Sequence, residues 1–156
     1  MIKNETFLDL ARKIGDNSKC CRAKVGAILV KDNRIISTGY NGKPSGWNDE
    51  ACSGECKGCK ETVHAEVNAI IFAAKNGMST KDCDLYVTHS PCEHCCLSII
   101  QAGIKTVFFE ELYVSDSSDG LKGIEMLLKA GIKVFKYEKD RGFVLNLIIE
   151  LLTEYI

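Results

Sequence analysis

The stretch DLYVTHSPCEHCCLSIIQAGIKTVFFEE, residues 84–111, decides the predicted fold because it carries a strand, a helix and a second strand in succession. DLYVTHS and TVFFEE are short runs rich in β-branched and aromatic residues, and CEHCCLSIIQA between them is interpreted as a helix. That helix should stop at Gly103. The segment AGIK at 102–105 recurs at 130–133, where another helix should give way to a strand. The recurrence indicates the same local turn chemistry used twice.

The alternation of strand and helix continues beyond this stretch. A polar loop leads to a helix from about Leu121 and then to the strand VFKYE. Alternating elements with short connections imply parallel strands, right-handed crossovers and helices on both faces of the sheet. GFVLNLIIELLTEYI, residues 142–156, is predicted as a closing helix whose broad apolar surface suits a subunit interface or ordinary core packing.

The first forty residues predict a helix and a hairpin. An amphipathic helix that ends near Gly15 is predicted by apolar residues at i, i+3, i+4 and i+7. These residues are Phe7, Leu10, Ala11 and Ile14. VGAILVKDNRIISTGY, residues 25–40, gives two β-rich runs around Asp32-Asn33, residue types that tolerate the positive φ of a two-residue turn. We therefore predict a three-layer α/β/α fold, whose mixed five-stranded sheet begins with an antiparallel hairpin.

A loop and a second helix connect the hairpin to the alternating half. Residues 41–61, NGKPSGWNDEACSGECKGCKE, contain four glycines, a proline and three cysteines, and no apolar period supports a helix or strand there. From His64 a helical face returns, with Gly77 as its plausible end. The residues on that predicted face are Val67, Ile70, Ile71 and Ala74.

Length and composition limit the classes of protein to which the chain can belong. A chain of 156 residues with 46% hydrophobic content suits one domain, residues 1–156, rather than two. The net charge of −1, from 20 basic and 21 acidic residues, gives no global reason to expect nucleic acid, so a small ligand is the more natural partner. The opening MIKNETF is not a signal segment and no apolar run is long enough to span a membrane, so we expect a cytoplasmic protein.

Nine cysteines in such a chain point to metal rather than to disulfides, which are rare in a reducing compartment. Cys92 and Cys95 open a predicted helix at i, i+3, so both sulfurs can reach one ion. CxxC alone also suits a thioredoxin-like redox pair or half of a four-cysteine zinc site. His-Ala-Glu at 64–66, with its histidine 28 positions before Cys92, also opens a helix and adds a third soft ligand. Cys83 and Cys96 are predicted to be small buried thiols.

Three protein ligands leave the fourth tetrahedral position of a zinc ion for water, whose pKa zinc lowers from roughly 15.7 to about 7. Glu66, two residues after His64, can move a proton from that water to a substrate nitrogen. This is the arrangement of a zinc-dependent hydrolytic deaminase. The alternatives are a chance coincidence and a closed zinc site with a fourth ligand such as His94. His89 and His94 are otherwise expected to face solvent or form local hydrogen bonds.

Four segments carry a resemblance to a known family. They are SKCCRAKVGAILVKDNRIISTGYNGKPSG, HAEVNAIIFAAKNG, YVTHSPCEHC and QAGIKTVFF. On these segments the chain resembles a deoxycytidylate (dCMP) deaminase of the cytidine deaminase fold superfamily over nearly its whole length. HAE and PCxxC are shared across that superfamily, whereas TGYNG followed by Pro-Ser-Gly is the narrower feature.

The resemblance implies a hydrolase of pyrimidine deoxyribonucleotide biosynthesis that converts dCMP to dUMP and ammonia. Zinc-bound hydroxide would attack C4 of cytosine while Glu66 protonates N3 and then passes a proton to the departing ammonia. The implied substrate contacts are Asn41, the backbone of Ala65 and Ser90, Lys75 and Tyr113. Lys75 stands where relatives often have an arginine. The lysine keeps the positive charge but lacks the guanidinium group that forms paired hydrogen bonds with a phosphate.

Regulation and assembly are further implications of the resemblance. Members of this family are commonly hexamers, activated by dCTP with magnesium and inhibited by dTTP near the GYNGxPxG loop. The residues expected at that effector site are Lys24, Gly42, Lys43, Pro44 and Gly46. We accordingly expect an allosteric homo-oligomer, with a hexamer favoured, and no membrane or nucleic-acid partner.

A second zinc site is predicted in the loop before His64. Cys52, Cys56 and Cys59 have CxxxCxxC spacing in a segment with few apolar groups, where a metal would supply the missing order. Some relatives bind a structural zinc through a cysteine of the SKCC segment, so Cys20 is the predicted fourth ligand. In a competing arrangement, Cys21 or another residue completes the tetrahedron.

Other functions compete with dCMP deamination. Another superfamily enzyme, acting on a nucleoside, guanine or tRNA, would differ in its dependence on a substrate phosphate, and the near-neutral charge argues against tRNA. A non-catalytic, zinc-stabilised nucleotide sensor would bind dCTP or dTTP without turnover, but the intact Glu66 argues against it. A thiol-redox protein is the most remote alternative.

Overall fold

The centre of the computed structural model is a mixed β-sheet, and the structure describes residues 1–48, 50, 61–115 and 118–145. The strands are β1 (Gly26–Lys31), β2 (Arg34–Tyr40), β3 (Asp84–His89), β4 (Thr106–Glu111), β5 (Val114–Ser115), β6 (Ser118–Asp119), β7 (Lys133–Glu138) and β8 (Gly142–Leu145). The helices are α1 (Asn4–Gly15), α2 (Ala65–Lys75), α3 (Glu93–Gln101) and α4 (Gly120–Lys129). Six strands form the main sheet in the order β2-β1-β3-β4-β7-β8, while β5 and β6 pair separately.

The predicted hairpin is confirmed at the start of the sheet. β1 and β2 pair antiparallel, and the two turn residues Asp32 and Asn33 have φ of 49° and 58°. β1 also pairs antiparallel with β3, after which β3, β4 and β7 run parallel. The mixed sheet therefore joins an antiparallel hairpin to a parallel βαβ half, as the sequence predicts.

The predicted sheet of five strands lacks one strand, because the predicted helix at 142–156 does not begin as a helix. Residues 142–145 form β8, a sixth strand that pairs antiparallel with β7. Gly142 has φ of 69°, and the Arg141 N–H donates to the Glu138 carbonyl at 3.1 Å, so the chain reverses tightly after β7. Phe143 then packs edge-on against Phe108, with ring centroids 5.1 Å apart. The rest of the predicted helix, 146–156, lies outside the described residues.

Helices cover both faces of the sheet, which confirms the three-layer arrangement. α1 packs on one face through Phe7 and Ala11, against an aromatic row in which Tyr86 stacks on Phe108 at 4.5 Å. α2, α3 and α4 pack on the opposite face, which holds the larger of the two apolar clusters. Cys83 and Cys96 are fully buried in that larger cluster, so the prediction of small buried thiols is confirmed.

The buried face of α2 differs from the predicted one. Its buried residues are Ala65, Glu66, Ala69 and Ala73, whereas the predicted face of Val67, Ile70, Ile71 and Ala74 is half-buried or exposed. The cause is the close approach of α2 to β2. A side chain at Gly39 would put its Cβ 2.4 Å from the Ala65 carbonyl oxygen, so only small residues fit at this contact. Of the larger apolar residues of α2, Ile71 and Phe72 are consequently exposed, while Ile70 packs at the edge of the core.

Glycines end three of the helices in the described part of the chain. Gly103 and Gly131, the glycines of the recurring AGIK segment, have φ of 72° and 80°, which confirms their predicted role as helix terminators. The helices are 9 to 12 residues long. Within the described ranges, none of them is long and apolar enough to cross a membrane.

Candidate active site

Three potential metal ligands converge where two helices begin on the same side of the sheet. His64 immediately precedes α2 and Cys92 immediately precedes α3, while Cys95 lies in the first turn of α3. His64 Nδ1 is 3.6 Å from Cys92 Sγ and 3.3 Å from Cys95 Sγ. All three donor atoms lie within 4.8 Å of one another, so the predicted ligand set is brought together.

The spacing of these donors fits a tetrahedral zinc ion. Zinc–nitrogen bonds of about 2.0 Å and zinc–sulfur bonds of about 2.3 Å place nitrogen and sulfur ligands about 3.5 Å apart at tetrahedral angles. The two observed nitrogen-to-sulfur distances, 3.6 and 3.3 Å, lie close to this value. His94 is exposed and, among the described residues, does not join the ligand group, so it does not close the fourth position.

The ligands influence one another's ionisation. The Cys92 pKa is lowered to about 3, chiefly by a hydrogen bond with the Cys95 thiol and also by one with His64. The Cys95 pKa is raised by the same hydrogen bond and by burial. The hydrogen bond with Cys92 raises the His64 pKa. Since thiolates are the form that binds metal, a divalent cation here competes with protons for the shared site.

Glu66 places a buried carboxyl group beside this centre. Its residue is 4% exposed, and one carboxylate oxygen lies 3.7 Å from Cys95 Sγ. Burial raises the pKa of this carboxyl group. A carboxyl group held near the reacting atoms and more basic than a free one is suited to accept and return protons. The position matches the general acid–base role predicted for Glu66.

Ser90 and Ala65, the predicted backbone contacts, flank the metal ligands. Ala65 is the fully buried first residue of α2, next to His64. Ser90 is buried, its N–H donates to the Glu111 carbonyl at 2.8 Å, and its Oγ accepts a bond from the Tyr113 N–H at 2.8 Å. The segment that leads to Cys92 is thus tied to the end of β4.

Asn41 is buried and its side chain is held by the backbone of the loop before β1. Its Oδ1 accepts from the Val25 N–H at 2.9 Å, and its Nδ2 donates to the Ala23 carbonyl at 2.9 Å. The next residue, Gly42, exchanges backbone hydrogen bonds with Val63. The loop that contains Asn41 therefore lies directly beside the residue that precedes His64.

Arg22 is a candidate site residue that the sequence analysis missed. Its Nη2 donates to the Tyr113 hydroxyl at 2.8 Å, and Tyr113 is bonded in turn to Ser90. A guanidinium group therefore stands beside the tyrosine that the resemblance places near a substrate phosphate. The available signal was weak, because the two residues are 91 positions apart in the chain and an arginine in a loop has no distinctive spacing.

Lys75 lies at the opposite end of α2 from His64, and its predicted substrate contact stays a prediction. It is the exposed last residue of α2, whereas His64 precedes the first residue. Eleven residues at about 1.5 Å each separate the two by about 16 Å along the helix axis.

The other predicted sites are described only in part. Cys20 is half-buried and Cys21 is exposed, whereas Cys52, Cys56 and Cys59 lie outside the described residues. At the predicted effector site the side chains of Lys24 and Lys43 are exposed, as is Gly46, while Gly42 and Pro44 are half-buried. These placements leave the second zinc site and the effector site as proposals.

A buried carboxyl group next to a His-Cys-Cys set that can hold zinc, on helices that lie against a mixed sheet, is the arrangement of zinc-dependent deaminases with the cytidine deaminase fold. Residues 1–111 match the family described as the cytidine and deoxycytidylate deaminase zinc-binding region. The chain belongs to this family.

Similar proteins agree with this assignment. ComE operon protein 2 of Bacillus subtilis (strain 168) is 40% identical over 144 residues, which cover 90% of this chain and 74% of the relative. Deoxycytidylate deaminase of Enterobacteria phage T2 is 36% identical, covering 88% and 94% of the two chains. The solved structure of dCMP deaminase from the cyanophage S-TIM5, in complex with dCMP and dUMP, superposes with a TM-score of 0.77 at 35% identity. That match covers 87% of this chain and 99% of the other.

Proposed function

We propose that the protein deaminates dCMP hydrolytically to dUMP and ammonia. The observation that carries the proposal is the buried carboxyl group of Glu66 beside the converging His64, Cys92 and Cys95 side chains. The substrate is suggested by the relatives, since one is named a deoxycytidylate deaminase and one structure contains dCMP and dUMP.

The metal ligands and Glu66 have separate roles in the proposed reaction. His64, Cys92 and Cys95 would hold zinc, which supplies an activated water by polarising it and lowering its pKa. Glu66 accepts one proton of that water and donates it to N3 of the cytosine ring while the water oxygen bonds to C4. It then takes the second proton from the O–H now on C4 and delivers it to the amine on C4, which leaves as ammonia. Because burial raises its pKa, the carboxyl group can hold a proton between these steps.

Recognition of a 5′-phosphate distinguishes this proposal from other deaminase activities of the superfamily. Arg22 supplies a fixed positive charge at Tyr113, and guanidinium groups bind phosphates through paired hydrogen bonds. Tyr113 links this charge to Ser90, two residues before Cys92. We therefore place the phosphate at Arg22 and Tyr113, in place of Lys75.

A panel of four substrates tests the proposal. Loss of cytosine absorbance is measured for dCMP, deoxycytidine, CMP and cytidine with the zinc-loaded protein. We expect turnover of dCMP at a kcat/KM far above that of the nucleosides. Preferential turnover of a nucleoside would refute phosphate recognition, and binding of dCMP without any turnover would favour the nucleotide sensor.

We further propose regulation by dCTP with Mg²⁺ as activator and dTTP as inhibitor. The effector would lie at the GYNGKPSG loop, where the exposed Lys24 and Lys43 can meet phosphates. The Gly42–Val63 pairing connects this loop to the residue before His64, which offers a direct route to the zinc site. Rate curves against dCMP concentration should change from sigmoidal to hyperbolic with Mg²⁺ and dCTP. Curves that neither effector alters would refute the proposal.

A second, structural zinc on Cys20, Cys52, Cys56 and Cys59 is also proposed. Its support is the cysteine spacing and the half-buried position of Cys20 at the start of the loop that leads to β1. Metal analysis should give two zinc ions per chain, and one after Cys56→Ser. One zinc in the unmodified protein would remove this proposal.

We propose that the protein is a homo-oligomer, with a hexamer favoured. Supporting this, Ile71, Phe72 and Leu97 on the outer side of α2 and α3 are 55%, 50% and 56% exposed. Exposed apolar side chains grouped in this way are typical of subunit contacts. Sedimentation velocity should show an assembly that Phe72→Glu dissociates. A monomer across the micromolar range would refute it.

A further inference from the structure

His89 is a half-buried residue at the end of β3 that the proposed reaction does not use. Its side chain is 18% exposed, and it lies three residues before Cys92 without joining the metal ligands. Both of its ring nitrogens have partners. Nδ1 is 2.9 Å from Thr88 Oγ1, and Nε2 is 3.3 Å from Glu111 Oε2. The ring is therefore held in one orientation from both sides.

The partners of the ring come from two neighbouring strands, β3 and β4. Nδ1 lies within hydrogen-bond distance of the Thr88 hydroxyl, and Nε2 faces a Glu111 carboxylate oxygen. Thr88 Oγ1 in turn accepts the Gly26 N–H at 3.2 Å. This network joins β1, β3 and β4 around the ring.

The held ring lies against Tyr113. The two ring centroids are 6.2 Å apart at an interplanar angle of 74°, an edge-to-face arrangement within the favourable range. Tyr113 has two other supports, its N–H on Ser90 Oγ and its hydroxyl beneath Arg22. The bond to Ser90 involves only the backbone, so the Tyr113 side chain is restrained by Arg22 at its hydroxyl and by His89 at the face or edge of its ring.

We propose that His89 is a positioning residue that holds the Tyr113 ring, and through it the Arg22 guanidinium, at the place where the 5′-phosphate of the substrate binds. The inference rests on the proposed dCMP activity and adds the residue that sets its preference for a phosphorylated substrate. His89 acts on affinity for the phosphate rather than on the chemical step, because its contacts lead to Tyr113 and not to Glu66.

The test compares His89→Ala with His94→Ala, a matched control in which an exposed histidine of the same segment is removed. We expect His89→Ala to raise the KM for dCMP about fivefold, the effect of one aromatic contact, with kcat changed less than about twofold. The kcat/KM for deoxycytidine and the zinc content should stay unchanged. His94→Ala should match the wild type in every measurement.

Two further variants separate positioning from a general loss of structure. His89→Phe keeps a ring beside Tyr113 and should retain part of the dCMP affinity, even if His89→Ala folds poorly. In a double-mutant cycle, Tyr113→Ala should remove most of the effect of His89→Ala, because both act through one ring. Fully additive effects would overturn the inference, and so would an equal loss of activity on deoxycytidine.

The failure of this inference can be distinguished from the failure of the proposed function. If the wild type turns over deoxycytidine in preference to dCMP, the proposed function is wrong and the inference falls with it. If the wild type prefers dCMP and both His89→Ala and His89→Phe retain that preference, only the role of His89 is wrong.

Discussion

Arg22 and Tyr113 form a contact that joins distant parts of the chain at the site. The Arg22 Nη2 lies 2.8 Å from the Tyr113 hydroxyl, and Tyr113 is bonded to the buried Ser90. In the proposed reaction, substrate selection at the scale of single residues depends on a few polar contacts around the metal ligands. Each can be removed without touching His64, Cys92 or Cys95.

Arg22→Ala should raise the KM for dCMP by about tenfold to a hundredfold, the range for a hydrogen bond to a charged group. Turnover of deoxycytidine, which has no phosphate, should be unaffected. Lys75→Ala is the matched control and should leave both substrates unchanged, because Lys75 lies at the far end of α2. A large KM effect from Lys75→Ala, with none from Arg22→Ala, would reverse the assignment of the phosphate site. Steady-state kinetics on both substrates makes the comparison.

Tyr86 gives a pH dependence that is independent of the metal site. Its residue is 2% exposed, its hydroxyl donates to Asn4 Oδ1 at 2.8 Å, and burial raises its pKa above the usual value near 10. The folded state therefore favours the neutral phenol. This stabilisation of the folded state is fully present below about pH 10, the pKa of a tyrosine in the unfolded chain. It is lost as the pH rises from there toward the higher pKa of Tyr86 in the folded protein.

Tyr86→Phe should accordingly lower the free energy of unfolding by about 0.5–1.5 kcal/mol at pH 7, through the lost hydrogen bond to Asn4. Between pH 10 and pH 11 the difference in the free energy of unfolding between the wild type and Tyr86→Phe should shrink. The reason is that only the unfolded wild type gains stability by ionising this phenol. Urea unfolding at three pH values measures both effects. A stability difference that grows as the pH rises would contradict this assignment of the buried phenol.

α4 supports the site although it carries none of the predicted site residues. A side chain at Gly123 would put its Cβ 2.4 Å from the Pro91 carbonyl oxygen and 3.1 Å from Cys96 Sγ. One at Gly120 would lie 2.4 Å from Ser90 Oγ. At the scale of elements, the position of α4 thus depends on two glycines that let it contact the segment leading to Cys92.

Gly123→Ala should destabilise the protein by about 1–3 kcal/mol, because the added methyl group forces apart two packed segments. It should also lower zinc affinity in competition with a chelator, since the displaced backbone carries Cys92. Glu125→Ala, on the exposed side of the same helix, is the control and should change neither quantity. Unchanged zinc affinity in Gly123→Ala would show that α4 does not support the ligand segment.

The elements that the sequence predicted correctly are those with local signals. Asp32-Asn33 is sufficient to define the hairpin turn, and the AGIK glycines end two helices. The face of α2 was predicted wrongly because hydrophobic spacing favours large residues. The helix instead packs through alanines against Gly39, a contact between residues far apart in the chain. β8 was missed because its pairing depends on a chain reversal at Gly142, which an apolar run does not indicate.

The convergence of His64, Cys92 and Cys95 beside Glu66 was predicted at the residue level, whereas the contact of Arg22 with Tyr113 was not. His64, Glu66, Cys92 and Cys95 lie in two short motifs, each at the start of a helix, so local spacing was enough to identify them. The Arg22–Tyr113 contact arises only when loops from the two halves of the chain meet. Lys75 lies about 16 Å from His64 along the axis of α2, a separation that hydrophobic periodicity does not show.

At the scale of the whole molecule, a bound zinc ion would link α2 and α3 by metal–ligand bonds in addition to their packing and side-chain contacts. It would join α2 to α3 through residues that lie 28 and 31 positions apart. A ligand present at a thousand times its dissociation constant stabilises the folded state by about 4 kcal/mol. Removal of zinc should therefore lower the stability of the entire fold.

Chelation should lower the thermal unfolding midpoint by about 10 °C, given about 2–4 °C per kcal/mol for a chain of this size. Re-addition of zinc, but not of magnesium, should restore the midpoint, because thiolate and imidazole ligands disfavour magnesium. Differential scanning calorimetry in each condition provides the measurement. An unchanged midpoint, with zinc demonstrably removed, would show that the centre does not contribute to folding stability.

The most direct test of the central claim is the formation of dUMP from dCMP by the wild type and by Glu66→Gln, with zinc content measured in the same samples. Glutamine preserves the shape of the buried side chain but cannot exchange protons as a carboxyl group does. We predict dUMP and ammonia from the wild type, and at least a thousandfold lower rate from Glu66→Gln at equal zinc content. Undiminished turnover by a zinc-loaded Glu66→Gln protein would contradict the assignment of Glu66 as the proton-transferring group.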